Sequence, residues 1–244
     1  MAAPKQPLDQ DKNKVHKKLR ALYENVDTNS FSGKPVIPVM LKETVSNEYF
    51  RSNPKTHKEI VLGNRNTGLD AMLDKESIQR FLEDVFREID IFGNDVTFMQ
   101  NRFVSPLSVI GTNYYKYYLN DTIEIDGEPC IDLSFAPHNA ESFGFTGRLY
   151  FPVADTTFFI KKVKLNVPKS INLNYVEKVT VEQDFVKAPD GSRLKTRDDM
   201  SVEFQIIKGT TELYAQRTTS YSKHSMTPPN DMSRSDLGGA RVTE

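Results

Sequence analysis

The stretch Cys130-Ile131-Asp132-Leu133-Ser134-Phe135 alternates without a break, Ile131, Leu133 and Phe135 on one side and Asp132 and Ser134 on the other. Successive side chains of a strand point to opposite faces, so this is a strand with one apolar face. Upstream, Thr112 to Ile125 puts Tyr115, Tyr117, Leu119, Ile123 and Ile125 on one parity and Lys116, Asn120, Thr122 and Glu124 on the other. Asp126-Gly127 between the two runs is a two-residue hairpin signal. Downstream, Phe145 to Phe151 pairs with Thr157 to Val167 across Pro152-Val153-Ala154-Asp155, and Tyr175 to Val186 pairs with Leu194 to Ile207 across Pro189-Asp190-Gly191. Lys208-Gly209 then turns the chain into a last strand, Thr211 to Tyr221. Such a meander has an apolar face that needs a cover, and what covers it decides what the protein does.

Two helical patterns could supply the cover. Asp11 to Asn25 carries Val15, Leu19, Leu22 and Val26 at intervals of four, three and four, with the basic run Lys12 to Arg20 on the other face. That run reads as a solvated helix face rather than a nucleic-acid contact. A second helix is predicted from Lys75 to Phe92, with Asp74 as N-cap, Gly93 as stop, and a stripe of Ile78, Leu82, Val85 and Ile89 widened by Phe81, Phe86 and Phe92. Between the helices, Pro38 to Phe50 reads as a strand despite Met40 being out of phase. Lys55 to Val61 is its hairpin partner, and Gly63 to Gly68 is turn material. From Asp95 onward the pattern is strand and turn.

The expected fold is therefore mainly β (α+β): a long-stranded antiparallel meander, curled by strand twist into an open or half barrel and covered by two helices. Residues 1–10 read as a disordered lead, 11–224 as one sheet-plus-helix domain, and 225–244 as a flexible tail or linker. A concave face would be lined by Tyr117, Leu119, Leu133, Phe135, Leu149, Phe151, Val163, Leu165, Val181 and Phe204, the candidate ligand-binding residues.

The 244 residues hold 32 Lys+Arg against 33 Asp+Glu, a formal charge of −1, so no global field draws the chain to nucleic acid. No apolar run approaches the ~20 residues that a spanning helix needs. One cysteine, Cys130, excludes an intrachain disulfide, and its outward parity suggests a small, partly covered side chain. The start, Met1 to Pro7, lacks an apolar region and does not read as a signal peptide. That implies the cytoplasm, or a piece of a longer secreted protein, and composition does not choose between them.

Chemistry is sparse. His138 and Glu141 have the H-x-x-E spacing of two zinc ligands, but they lie in a loop with no acid or base beside them in sequence, so no metal or cofactor is expected. Asp198-Asp199, Asp155 and Asp184 read as turn formers and solvated caps rather than acid–base pairs. Asp126, Asp155 and Asp190 sit beside predicted turns. In Tyr114-Tyr115-Lys116-Tyr117-Tyr118 only alternate tyrosines share a face, so two are buried and two exposed; stacking on a base or a sugar is the alternative use. No catalytic constellation stands out, and an enzyme is not expected.

Several strings resemble an uncharacterised family of Bacteroidota outer-membrane proteins: Pro38 to Tyr49, Asn101 to Ser108, Tyr114 to Thr122, Gly144 to Tyr150 followed by Asp155 to Phe158, and Asn172 to Glu177 leading into Gln183-Asp184-Phe185. The likeness spans roughly Val15 to Tyr221. In that family a small carboxypeptidase-regulatory-like domain precedes the region seen here, and a C-terminal outer-membrane β-barrel follows it. The resemblance implies a non-enzymatic, periplasm-facing module associated with the outer membrane, with that barrel as partner, in envelope assembly or transport. In outline the curled sheet is also similar to periplasmic lipoprotein-localisation factors, which would make a lipid or lipoprotein acyl chain the ligand.

Overall fold

The computed structural model describes residues 27–28, 35–36, 40–52, 55–68, 80, 82–168, 171, 173, 176–207 and 211–226. The chain divides into two compact units, Met1–Lys75 with Met226–Glu244, and Glu76–Ser225. The predicted helix over 11–25 and most of the tail lie outside the described residues.

In the first unit, β1 (Asp27–Thr28) pairs with β2 (Pro35–Val36), and β3 (Met40–Ser52) pairs with β4 (Lys55–Gly68), both antiparallel. The predicted hairpin is there, but its second strand runs on through Gly63 to Gly68, the stretch expected to turn. Those residues find partners in Met40 to Val45, and a bulge between Val45 and Ser46 absorbs the odd residue. Glycine is tolerated at such a bulge, and nothing lies within 4 Å of where a Cβ on Gly63 would be.

The second unit is built on a seven-stranded antiparallel sheet: β7 (Tyr115–Ile125), β8 (Glu128–Pro137), β9 (Thr146–Pro152), β10 (Lys162–Asn166), β11 (Val176–Lys187), β12 (Arg193–Ile207) and β13 (Thr211–Ser220). Its spatial order is the chain order, a simple meander, and it stays open with β7 and β13 at its edges. The turn chemistry is as the sequence predicts. Asp126 (φ 53) and Gly127 (φ 78) supply the two left-handed positions that join β7 to β8. Gly191 (φ 83) turns β11 into β12 while the Asp190 carboxylate accepts the Ser192 N–H at 2.9 Å. The β7 edge carries a bulge between Leu119 and Thr122 and exposes Lys116, Asp121 and Glu124. Bulges and charges of this kind discourage a further strand from adding to the sheet.

One face of the sheet is packed. Val163, Leu165, Val179, Val181, Met200 and Val202 are at most 1% exposed, and they share a core with Val85, Ile89, Ile91, Val96, Phe98, Phe103 and Phe145. Part of the cover is a hairpin, β5 (Asp95–Phe98) and β6 (Asn101–Val104), turned at Met99 (φ 46) and Gln100 (φ 61). Its Phe103 stacks on Phe145 at 4.8 Å between ring centres and meets Phe98 edge-on at 6.2 Å.

The predicted Lys75–Phe92 helix supplies the rest of the cover but ends early. Residues 80 and 82–85 are helical, a turn follows at Phe86, and the chain from there to β5 is not helical. Ile89 and Ile91 are buried with Asp90 exposed between them, a period of two rather than 3.6. The strands take up the freed carbonyls: Arg217 donates to the Phe86 oxygen, and Gln183 Nε2 donates to the Ile89 oxygen at 2.8 Å. A short helix, Gly111–Tyr114, leads into β7, so that strand begins three residues later than the alternation suggests. Among the described residues no helix is long and apolar enough to cross a membrane.

Tyr115 ties these pieces together. It is 1% exposed, its hydroxyl donates to the Val104 carbonyl at 2.5 Å, and it accepts the Phe145 N–H at 3.1 Å. Burial pushes its pKa well above the ordinary phenol range, so the group stays neutral. Tyr115→Phe would leave the half-buried Val104 carbonyl and the buried Phe145 N–H without this partner. The expected cost is about 1–3 kcal/mol, read as a lower urea midpoint at unchanged slope.

Candidate functional site

The ten residues expected to line a ligand face mostly come together. Phe135, Leu149, Val163, Leu165, Val181 and Phe204 are buried in the core, and Tyr117, Leu133 and Phe151 pack against it half-buried. The unit's own β5–β6 hairpin and the 82–91 segment lie in that same core. Leu119 is the exception, 74% exposed. It pairs with Leu133, which pairs with Leu149; past the bulge the parity shifts, so Ile123, 38% exposed, stands opposite Cys130 on the other face. The apolar face is therefore packed along most of its length and open at the β7–β8 end.

The same face holds a buried polar cluster that sequence reasoning missed. Asp198 was expected as a solvated cap, yet it lies mid-strand in β12 with its side chain 2% exposed. Register explains the difference: Leu133, Leu149, Val163, Gln183 and Asp198 stand side by side on β8 to β12, so Asp198 occupies a core row. Its carboxylate accepts from Lys195 Nζ at 3.1 Å and Gln183 Nε2 at 3.2 Å, and pairs with Arg217 Nη2 at 3.5 Å. Lys195 also reaches Glu88 at 2.8 Å. Burial pulls the Lys195 ammonium down, but Asp198 and Glu88 outweigh it and raise its pKa. Asp199, also buried, points to the other face and pairs with Arg197 Nε at 2.5 Å.

That other face is polar, and its charges are paired across strands. Lys162 meets Asp184 at 2.9 Å and Glu182 at 3.4 Å, and Lys164 meets Glu182 at 3.0 Å. Arg148 Nη1 meets Asp132 Oδ2 at 2.8 Å. Toward the β7 edge this face is indented by a groove of about 400 Å³ lined by Tyr118, Ser134, Phe135, Ala136, Thr146, Gly147, Arg148, Lys164 and Asn166. Tyr118, Ser134, Arg148 and Lys164 form one register row across β7, β8, β9 and β10, with Thr146 opposite Asn166 beside it. The sequence signal for this row was the polar half of the same alternation that marked the core.

The remaining candidates stay apart. His138 and Glu141 are exposed in the loop after β8, and among the described residues no group of three His, Cys, Asp or Glu could hold a metal ion. Cys130, expected to be partly covered, is fully buried, and burial raises its thiol pKa. Asp155 is a turn former as predicted: its Oδ1 accepts the Thr157 N–H at 2.6 Å, and its Oδ2 pairs with Lys187 at 2.5 Å. Lys187 and the Thr157 hydroxyl hold its carboxyl well below the usual range. Of the tyrosine run, Tyr115 is buried, Tyr117 and Tyr114 are half-buried, and Tyr118 is exposed.

Fold and faces together define an open, mainly β module with one apolar side packed by its own elements and one polar, grooved side. The chain belongs to DUF5686, a family of unknown function, which matches residues 6–223. No curated protein and no solved structure matches it significantly.

Proposed function

We propose that this chain is a non-enzymatic, periplasm-facing module of an outer-membrane protein, serving cell-envelope assembly or transport beside a β-barrel. The observation that carries this reading is the likeness of the strings between Pro38 and Phe185 to Bacteroidota outer-membrane proteins. The family match over 6–223 covers all of those strings. A packed sheet with a broad, charge-paired polar face suits holding a partner. The test is fractionation of the cells that make the protein, with an antibody against the Glu76–Ser225 unit. Recovery with the outer membrane, protease-sensitive only after the outer membrane is opened, supports the reading; recovery in the cytosol overturns it.

A second reading, binding of a lipid or lipoprotein acyl chain, is favoured by one feature, the open apolar end at Leu119, Leu133 and Phe151. Each CH₂ taken out of water there contributes about 0.8 kcal/mol. Leu119→Glu leaves the core untouched because the side chain is 74% exposed. If acyl chains dock there, native mass spectrometry shows co-purified lipid on the parent chain and at least tenfold less on the folded variant. Equal occupancy, or a clean apo mass for both, overturns this second reading.

A further inference from the structure

We infer that the polar-face groove on β7 to β10 is a binding site for a neutral oligosaccharide. Four adjacent strands at ~4.8 Å spacing make it about 14 Å long, and its volume of about 400 Å³ lies in the range of small-ligand sites, roughly 300–1,000 Å³. At one end stands Tyr118, a ring 53% exposed whose hydroxyl has no partner among the described residues. At the other is Asn166, whose Oδ1 accepts from Thr180 at 3.2 Å while its amide N–H groups have no acceptor among the described residues. Between them lie Ser134, Thr146, Arg148 and Lys164. The floor is low because Ala136 is small and strand alternation turns Phe135 and its cross-strand partner Gly147 to the opposite face. An aromatic face for ring C–H groups and unspent donors for hydroxyls are the two things a sugar needs.

Charge decides the class of sugar. The two cations that line the groove already have carboxylate partners, Arg148 with Asp132 and Lys164 with Glu182, and the exposed Lys116, opposite Ala136 on the β7 edge, stands at its rim. An anion would have to draw Arg148 from Asp132, whose side chain is 3% exposed, and stranding a buried carboxylate is strongly unfavourable. Nucleic acid would need unpaired cations for its phosphates, which the same pairing denies. A neutral polyol needs neither, and can use the remaining guanidinium N–H groups of Arg148 as donors. The site does not depend on where in the cell the chain works.

The test titrates the full chain with neutral glucan, mannan and N-acetylglucosamine oligosaccharides, and with a sulfated oligosaccharide, by calorimetry and amide NMR. At least one neutral series is expected to bind and to shift the amides of residues 134–136 and 146–148. Tyr118→Ala, exposed and outside the core, should weaken it tenfold or more at an unchanged melting midpoint, and Asn166→Ala should weaken it likewise. Failure of every neutral series, binding of the sulfated probe alone, or equal binding by both variants overturns the inference.

Discussion

Replacing Asp198 by alanine is expected to destabilise the Glu76–Ser225 unit by about 3–5 kcal/mol, the cost of breaking a buried ion pair from one side. The carboxylate stands in a core row, with Lys195 and Gln183 donating to it and Arg217 beside it. Removing it leaves the Arg217 guanidinium, 29% exposed, without its acid, while Lys195 keeps Glu88. The consequence reaches the cover, because Arg217 and Gln183 are also the donors to the Phe86 and Ile89 carbonyls. The midpoint of thermal unfolding should fall by roughly 6–20 °C, taking about 2–4 °C per kcal/mol for a domain of this size. Hydrogen exchange at residues 86–91 should rise in the same variant before the strands open. A double-mutant cycle with Arg217→Met should return a coupling of about 0.5–3 kcal/mol. Destabilisation within ~0.5 kcal/mol, the scale of a surface substitution, would show that Asp198 is solvated as the sequence alone suggested.

What could be read from the sequence, and what could not, divides along the range of the interactions. Strand alternation is local, so the meander, its hairpin turns at Asp126-Gly127 and Asp190-Gly191, and the burial of Phe135, Leu149, Val163, Leu165, Val181 and Phe204 were legible. The end of the covering helix was not. Val85 and Ile89 satisfy a helical stripe, yet Ile89 and Ile91 equally satisfy an extended segment. The donors that settle the matter, Arg217 and Gln183, lie 131 and 94 residues away along the chain. Asp198-Asp199 failed for the same reason: adjacent acids in a strand must face opposite sides, and the inward one is tolerable only because distant cations meet it. Leu119 shared the parity of its buried neighbours but stands on an edge strand, 74% exposed, and parity does not encode position within a sheet. The groove row from Tyr118 to Lys164 was visible as polar parity, but the cross-strand order that makes it continuous comes only from register.

Gly147→Ala should be the most disruptive small substitution in the sheet, costing about 3 kcal/mol or more. Gly147 has no left-handed backbone to protect, so its constraint is space. A Cβ there would overlap the Lys164 carbonyl oxygen and lie 2.8 Å from Phe135 Cζ. The first of these is backbone within the β9–β10 ladder, where Gly147 pairs with Leu165, so relief requires the strands to part. The second is a core ring that also meets Tyr115 edge-on at 5.6 Å, so displacing it disturbs the aromatic cluster. Overpacking ordinarily costs about 1–3 kcal/mol, and a clash with main chain belongs at the top of that range or beyond it. Gly63 is the control: nothing lies within 4 Å of its added Cβ, so Gly63→Ala should change stability by less than about 1 kcal/mol. Calorimetric midpoints of the two variants, with amide exchange along Thr146–Pro152 and Lys162–Asn166, separate the cases. Equal midpoints would mean that β9 and β10 can part by the width of a methyl group without loss. The ladder would then be too loose to hold Arg148 and Lys164 at fixed spacing, and the groove on the other face would lose the rigidity its ligand requires.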